Sequence, residues 1–177
     1  LVQSDDPFVA ASAVSALGRL GESRAVSPLL RLLRHSDLPV PVQRETIIAL
    51  GDLRASEATN VLLDLLSHKH PLMRASALQA LAKISPETFS LVLSGLDPDR
   101  DWTVRAALAR VLGSLNLEFS TSRLKTMLRD SDQRVVASVL RALVRRRPEG
   151  INATLLDYLH SDDPDAVSYT HLRAHAT

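Results

Sequence analysis

His68-Lys69-His70 sets two imidazoles one residue apart in a stretch between apolar runs. A His-x-His turn offers two nitrogen donors, but a closed metal site needs three or four. No cysteine or carboxylate is placed to complete one, so His70 is expected to open a helix from a polar loop. His171 and His175 stand four apart, the spacing of a metal pair on one helix face, but both fall in a terminal stretch that reads as foreign. Arg134, Arg141 and Arg145-Arg146-Arg147 form a basic cluster that can meet phosphate or an acidic partner. The plainer expectation is cations at a helix C-terminus, each stabilising by about 0.3–1 kcal/mol. Trp102 is the only tryptophan; it can anchor a partner or cover a neighbouring loop. There is no Ser-His-Asp pattern, and six scattered glycines make no phosphate cradle. No catalytic, cofactor-binding or metal-binding residue is therefore assigned, no cofactor is expected, and the segment is not expected to be an enzyme.

These side chains hang on a repeating frame. Val9-Ala10-Ala11-Ser12-Ala13-Val14-Ser15-Ala16-Leu17-Gly18 returns from Val42, Met73, Val104 and Val135, at steps of 33, 31, 31 and 31 residues. A leucine block, Leu29-Leu30-Arg31-Leu32-Leu33, returns as Leu62–Leu66 and more loosely as Val92–Leu96, Leu124–Leu128 and Leu155–Leu159. Apolar positions such as Val104, Ala107, Leu108, Val111 and Leu112 recur at helical spacing, not in alternation. Each unit is thus predicted to hold two antiparallel helices, the first rich in small residues and the second in leucine. A period in this range marks a stacked array whose single units cannot bury their own apolar faces. The predicted fold is all-α, a right-handed α-solenoid.

Helix boundaries follow from local chemistry. Asp6, Asp101, Asp132 and Asp163 precede the first helices as N-caps, with His70 in that place in the third unit. Pro7, Pro71 and Pro164 follow, where a missing N–H costs nothing. The second unit carries two extra residues around Pro39 and Pro41. Gly18, Gly51 and Gly113 are expected to close the first helices as C-terminal glycines.

The pieces Asp101-Trp102-Thr103-Val104-Arg105-Ala106-Ala107-Leu108 and Asp6-Pro7-Phe8-Val9-Ala10-Ala11 resemble the HEAT repeat family, in its short bacterial form related to phycobilisome lyase subunits. Met73-Arg74-Ala75 fits the same pattern, while Gln43 and Val136 replace its arginine. The resemblance covers residues 1 to about 166. It implies adaptors, scaffolds and assembly factors, with second helices lining a concave face where partners bind. The middle residues of the leucine blocks, Arg31, Asp64, Ser94, Thr126 and Asp157, are polar in every unit. They are predicted to form one partner-binding strip, with Arg34, Lys125 and Arg129 beside it and Trp102 as a further candidate.

Residues 1–166 are read as the end of one repeat, five repeats near 5–34, 37–66, 69–96, 99–129 and 132–160, and the start of a sixth. Leu1-Val2-Gln3 aligns with Leu65-Leu66-Ser67, so the chain is expected to begin inside a preceding repeat. The stretch from Val167 to Thr177 resembles a translated sequencing-library adapter of the transposase type, departing from it only at Ala176. Residues 167–177 are therefore expected to be a non-native tail.

The chain carries 21 basic and 20 acidic residues, a net charge of +1, and the tail contributes Arg173 and no acid. A neutral array argues against nucleic-acid or membrane-surface binding through bulk charge. DNA glycosylases built of helical repeats rely on several aromatics and an acid in a basic groove, which one tryptophan here does not supply. No apolar run is long enough for a membrane span. The absence of cysteine excludes disulfides and thiol chemistry and fits a cytoplasmic protein. The function expected is a non-catalytic protein–protein interaction scaffold or adaptor. The alternatives are a bilin lyase-like or chaperone-like subunit for chromophore attachment, or a regulatory repeat segment fused to an enzyme or transporter.

Overall fold

The structure is a computed structural model. It describes residues 6–35, 37–115 and 118–160, without the side chains of Glu118, Asp157, Leu159 and His160. Among the described residues, five long helices alternate with five short ones: α1 (Pro7–Leu20), α2 (Val26–Leu33), α3 (Val40–Asp52), α4 (Thr59–Leu65), α5 (Pro71–Ile84), α6 (Pro86–Ser94), α7 (Trp102–Ser114), α8 (Glu118–Met127), α9 (Gln133–Arg146) and α10 (Ile151–His160). No strand occurs among the described residues. The fold is an all-α solenoid. The partial repeat at Leu1–Gln3, the cap Asp163, the sixth-repeat opening and the tail 167–177 lie outside the described residues.

The caps follow the aspartates. Asp6 accepts from the Phe8 N–H at 2.8 Å, Asp101 from that of Thr103 at 2.9 Å, and Asp132 from that of Arg134 at 2.9 Å. His70 Nδ1 accepts from the Leu72 N–H, at 3.4 Å. Helix α3 has no side-chain cap and enters from extended Pro39. A 3₁₀ turn leads into α2 and another into α4.

The odd helices form one continuous layer, each packed on the next, and the even helices lie on that layer far more than on one another. Leu29, Leu62, Leu93 and Leu124 hold one register of the even helices, and all are buried. Val14, Ile47, Leu78, Ala109 and Leu140 hold one register of the odd helices and are buried as well. At roughly 1.5–3 kcal/mol for each fully buried large apolar side chain, these rows supply the cohesion that no single unit has.

The glycines depart from expectation. Gly18, Gly51 and Gly113 lie inside α1, α3 and α7 and are buried. They face Ala49, Ala80 and Ala142 of the following odd helix, and a Cβ on any of them would meet the alanine Cα at 2.8, 2.8 and 2.9 Å respectively. They are there for close helix approach, not for termination. Helix α1 is closed instead by Gly21, at φ 70°. The same register falls on Ala82 and Val111 between α5 and α7, where the glycine–alanine contact is missing. Those two helices meet less closely than any other pair in the layer.

Candidate partner-binding face

Two arginines of the odd-helix layer reach across repeat boundaries. Arg74 on α5 donates from Nε and Nη2 to both Asp99 carboxylate oxygens, at 2.6 and 2.7 Å. Its Nη1 donates to the His68 carbonyl at 2.8 Å and the Lys69 carbonyl at 3.2 Å. Arg105 on α7 repeats the pattern one unit on: Nε and Nη2 reach Asp130 at 2.7 and 2.9 Å, and Nη1 the Asp99 and Arg100 carbonyls at 2.7 and 3.2 Å. This is the bidentate geometry that a planar guanidinium offers a carboxylate.

Each of these aspartates also accepts from a backbone N–H two residues on. Asp99 holds Asp101 at 2.8 Å and Asp130 holds Asp132 at 2.9 Å. Asp101 and Asp132 are the caps of α7 and α9, so each bracket seats the cap of the next odd helix. Burial pushes the Asp99 carboxyl upward, but the Arg74 bond, the Asp101 N–H and the charges of Arg74 and Arg100 together outweigh it and leave the group below its ordinary 3.8. The Arg105 bond chiefly holds Asp130 low, with burial opposing it. Sequence reading assigned no role to Asp99 or Asp130. The signal was their 31-residue spacing, matched by the spacing of Arg74 and Arg105.

The strip residues sit on the even helices. Arg31, Asp64, Ser94 and Thr126 are all exposed, and the side chain of Asp157 lies outside the described residues. Two residues beyond each buried leucine come Arg31, Asp64, Gly95 and Thr126, so Ser94 stands one residue short of the column. The Ser94 hydroxyl donates to the Leu91 carbonyl at 2.7 Å and that of Thr126 to the Ser122 carbonyl at 3.2 Å. Both therefore face a partner mainly as acceptors. Arg34, Lys125 and Arg129 are exposed beside them.

Trp102 is half-buried at the start of α7, with the Arg134 guanidinium carbon 3.8 Å from its ring centroid. Arg134 in turn binds Asp132 at 2.8 Å. In the basic cluster, Arg146 turns inward and donates to the Leu115 carbonyl and to Thr121 Oγ1. Arg147 takes a left-handed conformation, φ 49°, at the end of α9. The His68 imidazole accepts from the His70 N–H at 3.1 Å. Among the described residues, no group of three or more His, Cys, Asp or Glu is placed to hold a metal, and no helix is long and apolar enough to cross a membrane.

A cavity of about 250 Å³ lies between the N-terminal halves of α5 and α7, beneath the C-terminal ends of α6 and α8. Leu78, Leu93, Leu108 and Met127 line its walls, and Leu96, Thr126 and Arg129 reach its rim.

The sequence profile of HEAT repeats matches residues 35–113 and 89–174, and that of the PBS lyase HEAT-like repeat matches residues 9–35. No curated protein sequence matches the chain. Among solved structures, a chain of the complex of CpcE and CpcF of phycocyanin lyase from Nostoc sp. PCC7120 is similar over 93% of this chain and 70% of that one, at 20% identity and a TM-score of 0.57. An engineered protein is similar over 95% of this chain and 90% of its own, at 20% identity and a TM-score of 0.48.

Proposed function

The chain belongs to the HEAT repeat family, and from that premise we propose that it is a non-catalytic scaffold that binds a partner protein along the exposed face of its even helices. The observation that carries this reading is the polar column itself. Arg31, Asp64 and Thr126 stay exposed at one register while the leucine two residues before each is buried. Packing explains the leucines but asks nothing of the column, and a stacked array turns equivalent positions into an extended surface.

The test is selection from a phage-displayed random peptide library on the chain, then on its Arg31→Glu, Asp64→Arg variant. Peptides enriched on the parent and lost on the variant are the expected result. No enrichment, or equal retention by the variant, overturns the reading.

A second reading, a subunit that helps attach bilin chromophores, draws on the PBS lyase-type repeat at residues 9–35. Its test is bilin absorbance travelling with the chain on co-expression with a chromophore and an acceptor protein. Absence of that absorbance leaves the scaffold reading.

A further inference from the structure

The cavity lies between the N-terminal halves of α5 and α7, about one turn before Ala82 and Val111, which replace the glycine–alanine pair at this step of the layer. Leu93 of α6 and Arg123, Thr126 and Met127 of α8 add to its lining. Its walls are apolar, chiefly Leu78, Leu93, Leu108 and Met127.

Four arginines line the cavity, and they divide into two kinds. Arg74 and Arg105 are neutralised by Asp99 and Asp130. Arg123 and Arg129 have no carboxylate partner among the described residues, and Nε of Arg123 is buried without an acceptor. Asp97 shares the lining, so the unpaired groups leave a positive balance. Guanidiniums without a carboxylate partner at the edge of an apolar cavity favour an incoming carboxylate, which matches their fork geometry.

Size narrows the occupant. At about 250 Å³ the cavity is smaller than the roughly 300–1,000 Å³ of sites that hold drug-sized ligands. One bulky side chain fits it better than a cofactor-sized body. Its rim includes Thr126 of the polar column, and no atom lies within 4 Å of where a Cβ on Gly95 would sit. The column is thus open beside the cavity.

We propose that this cavity receives a single bulky apolar side chain of a partner protein, whose neighbouring Asp or Glu binds Arg123 and Arg129. The proposal rests on the scaffold reading and names the chemistry of its partner.

Four short fluorescein-labelled peptides with Gly-Ser flanks test it by fluorescence anisotropy against the full chain. Their cores are Glu-Phe-Leu-Glu, Gln-Phe-Leu-Gln, Glu-Ala-Ala-Glu and Lys-Phe-Leu-Lys. The first is expected to bind at least about tenfold more tightly than the others, because both the anchor and the charge contribute. Arg123→Gln and Arg129→Glu are each expected to weaken that peptide by about tenfold or more. Arg129 is exposed, so its variant keeps the fold even if Arg123→Gln does not. Equal binding of all four peptides, binding that follows charge alone or apolarity alone, no binding, or an unchanged affinity in Arg129→Glu overturns the proposal. If library peptides bind through Arg31 and Asp64 while Glu-Phe-Leu-Glu does not bind, the cavity proposal falls and the scaffold reading stands. If the library yields no binder, the scaffold reading falls and takes this proposal with it.

Discussion

Gly51 of α3 runs so close to α5 that a Cβ built on it would lie 2.8 Å from the Cα of Ala80. The obstacle is backbone, which cannot swing aside as a flexible side chain can. Alanine at position 51 should gain about 1 kcal/mol of helix propensity and lose more to overpacking, which typically costs about 1–3 kcal/mol. Gly51→Ala is therefore expected to lower the urea midpoint. Gly95→Ala, with nothing within 4 Å of its Cβ, is expected to leave it unchanged. Equal effects of the two substitutions would show that the close approach is not what requires glycine.

The Arg105–Asp130 bracket is largely buried, with side-chain exposures of 16% and 10%. Asp130→Asn keeps the shape and removes the charge, leaving a guanidinium facing a weaker acceptor. A loss of about 2–3 kcal/mol is expected, in the range for hydrogen bonds to charged groups and below the full cost of stripping a partner from a buried pair. Glu22→Gln removes the acid of the exposed Glu22–Arg24 pair and should change nothing measurable. Chemical denaturation of both variants checks the contrast.

The same brackets make stability depend on acid. Asp99 and Asp130 titrate below their ordinary 3.8 in the folded chain, through Arg74 against opposing burial and through Arg105. A carboxyl with a depressed folded value contributes its full stabilisation above the unfolded value and loses it as pH falls through the folded one. Unfolding free energy is expected to hold steady above about pH 5 and to drop below about pH 4. The double variant Asp99→Asn, Asp130→Asn should flatten most of that slope. The caps Asp101 and Asp132, held low by Thr103 and Arg134, should supply the remainder, with a small, solvent-screened share from the exposed Glu22, lowered to about 2 by its bond to Arg24.

Trp102 is the only tryptophan, so its emission reports on one place. The Arg134 guanidinium covers one ring face. Arg134→Gln is expected to shift the emission to the red and to raise acrylamide quenching. An unchanged spectrum would mean that the stacking does not persist in solution.

His70 caps α5 with a bond of 3.4 Å where Asp101 caps α7 at 2.9 Å. His70→Asp places a shorter, charged acceptor at the positive end of the helix. A gain of about 0.5–1 kcal/mol is expected from the cap and the helix dipole together, read as a rise in the urea midpoint.

Much of the frame was legible in the chain. The buried row Leu29, Leu62, Leu93 and Leu124 is periodic, and period is what a sequence displays best. The aspartate caps are equally local, because a cap bonds to a residue two positions away. The glycines misled because Gly near the end of an apolar run looks like a stop, and only the facing alanine in another unit shows otherwise. The Arg74–Asp99 bond was hidden by its 25-residue separation across a repeat boundary. In the polar column, Ser94 follows from counting within a block that Val92 opens, whereas the buried residue that sets the phase is Leu93. The cavity was invisible for a deeper reason: its lining is gathered from residues scattered between Leu66 and Asp130 on several helices and loops, and no single stretch carries its motif.

The brackets also govern how such a chain can change its length. Arg105 grips the carbonyls of its own loop and the carboxylate of the next, and Asp99 and Asp130 occupy the same place in successive units. Duplicating residues 99–129 in tandem would bring a second arginine and a second aspartate in phase, so every guanidinium would meet a carboxylate and every odd helix would find its cap. An insertion of another size between Arg105 and Asp130 would take the carboxylate out of phase with the guanidinium and leave the α9 start unsupported. The bracketed units are therefore built to grow or shrink in whole steps of 31 residues, whereas the 33-residue step before α3, where Gln43 stands in place of the arginine, is free of that constraint, like a tiling whose edges match only where complete tiles are added.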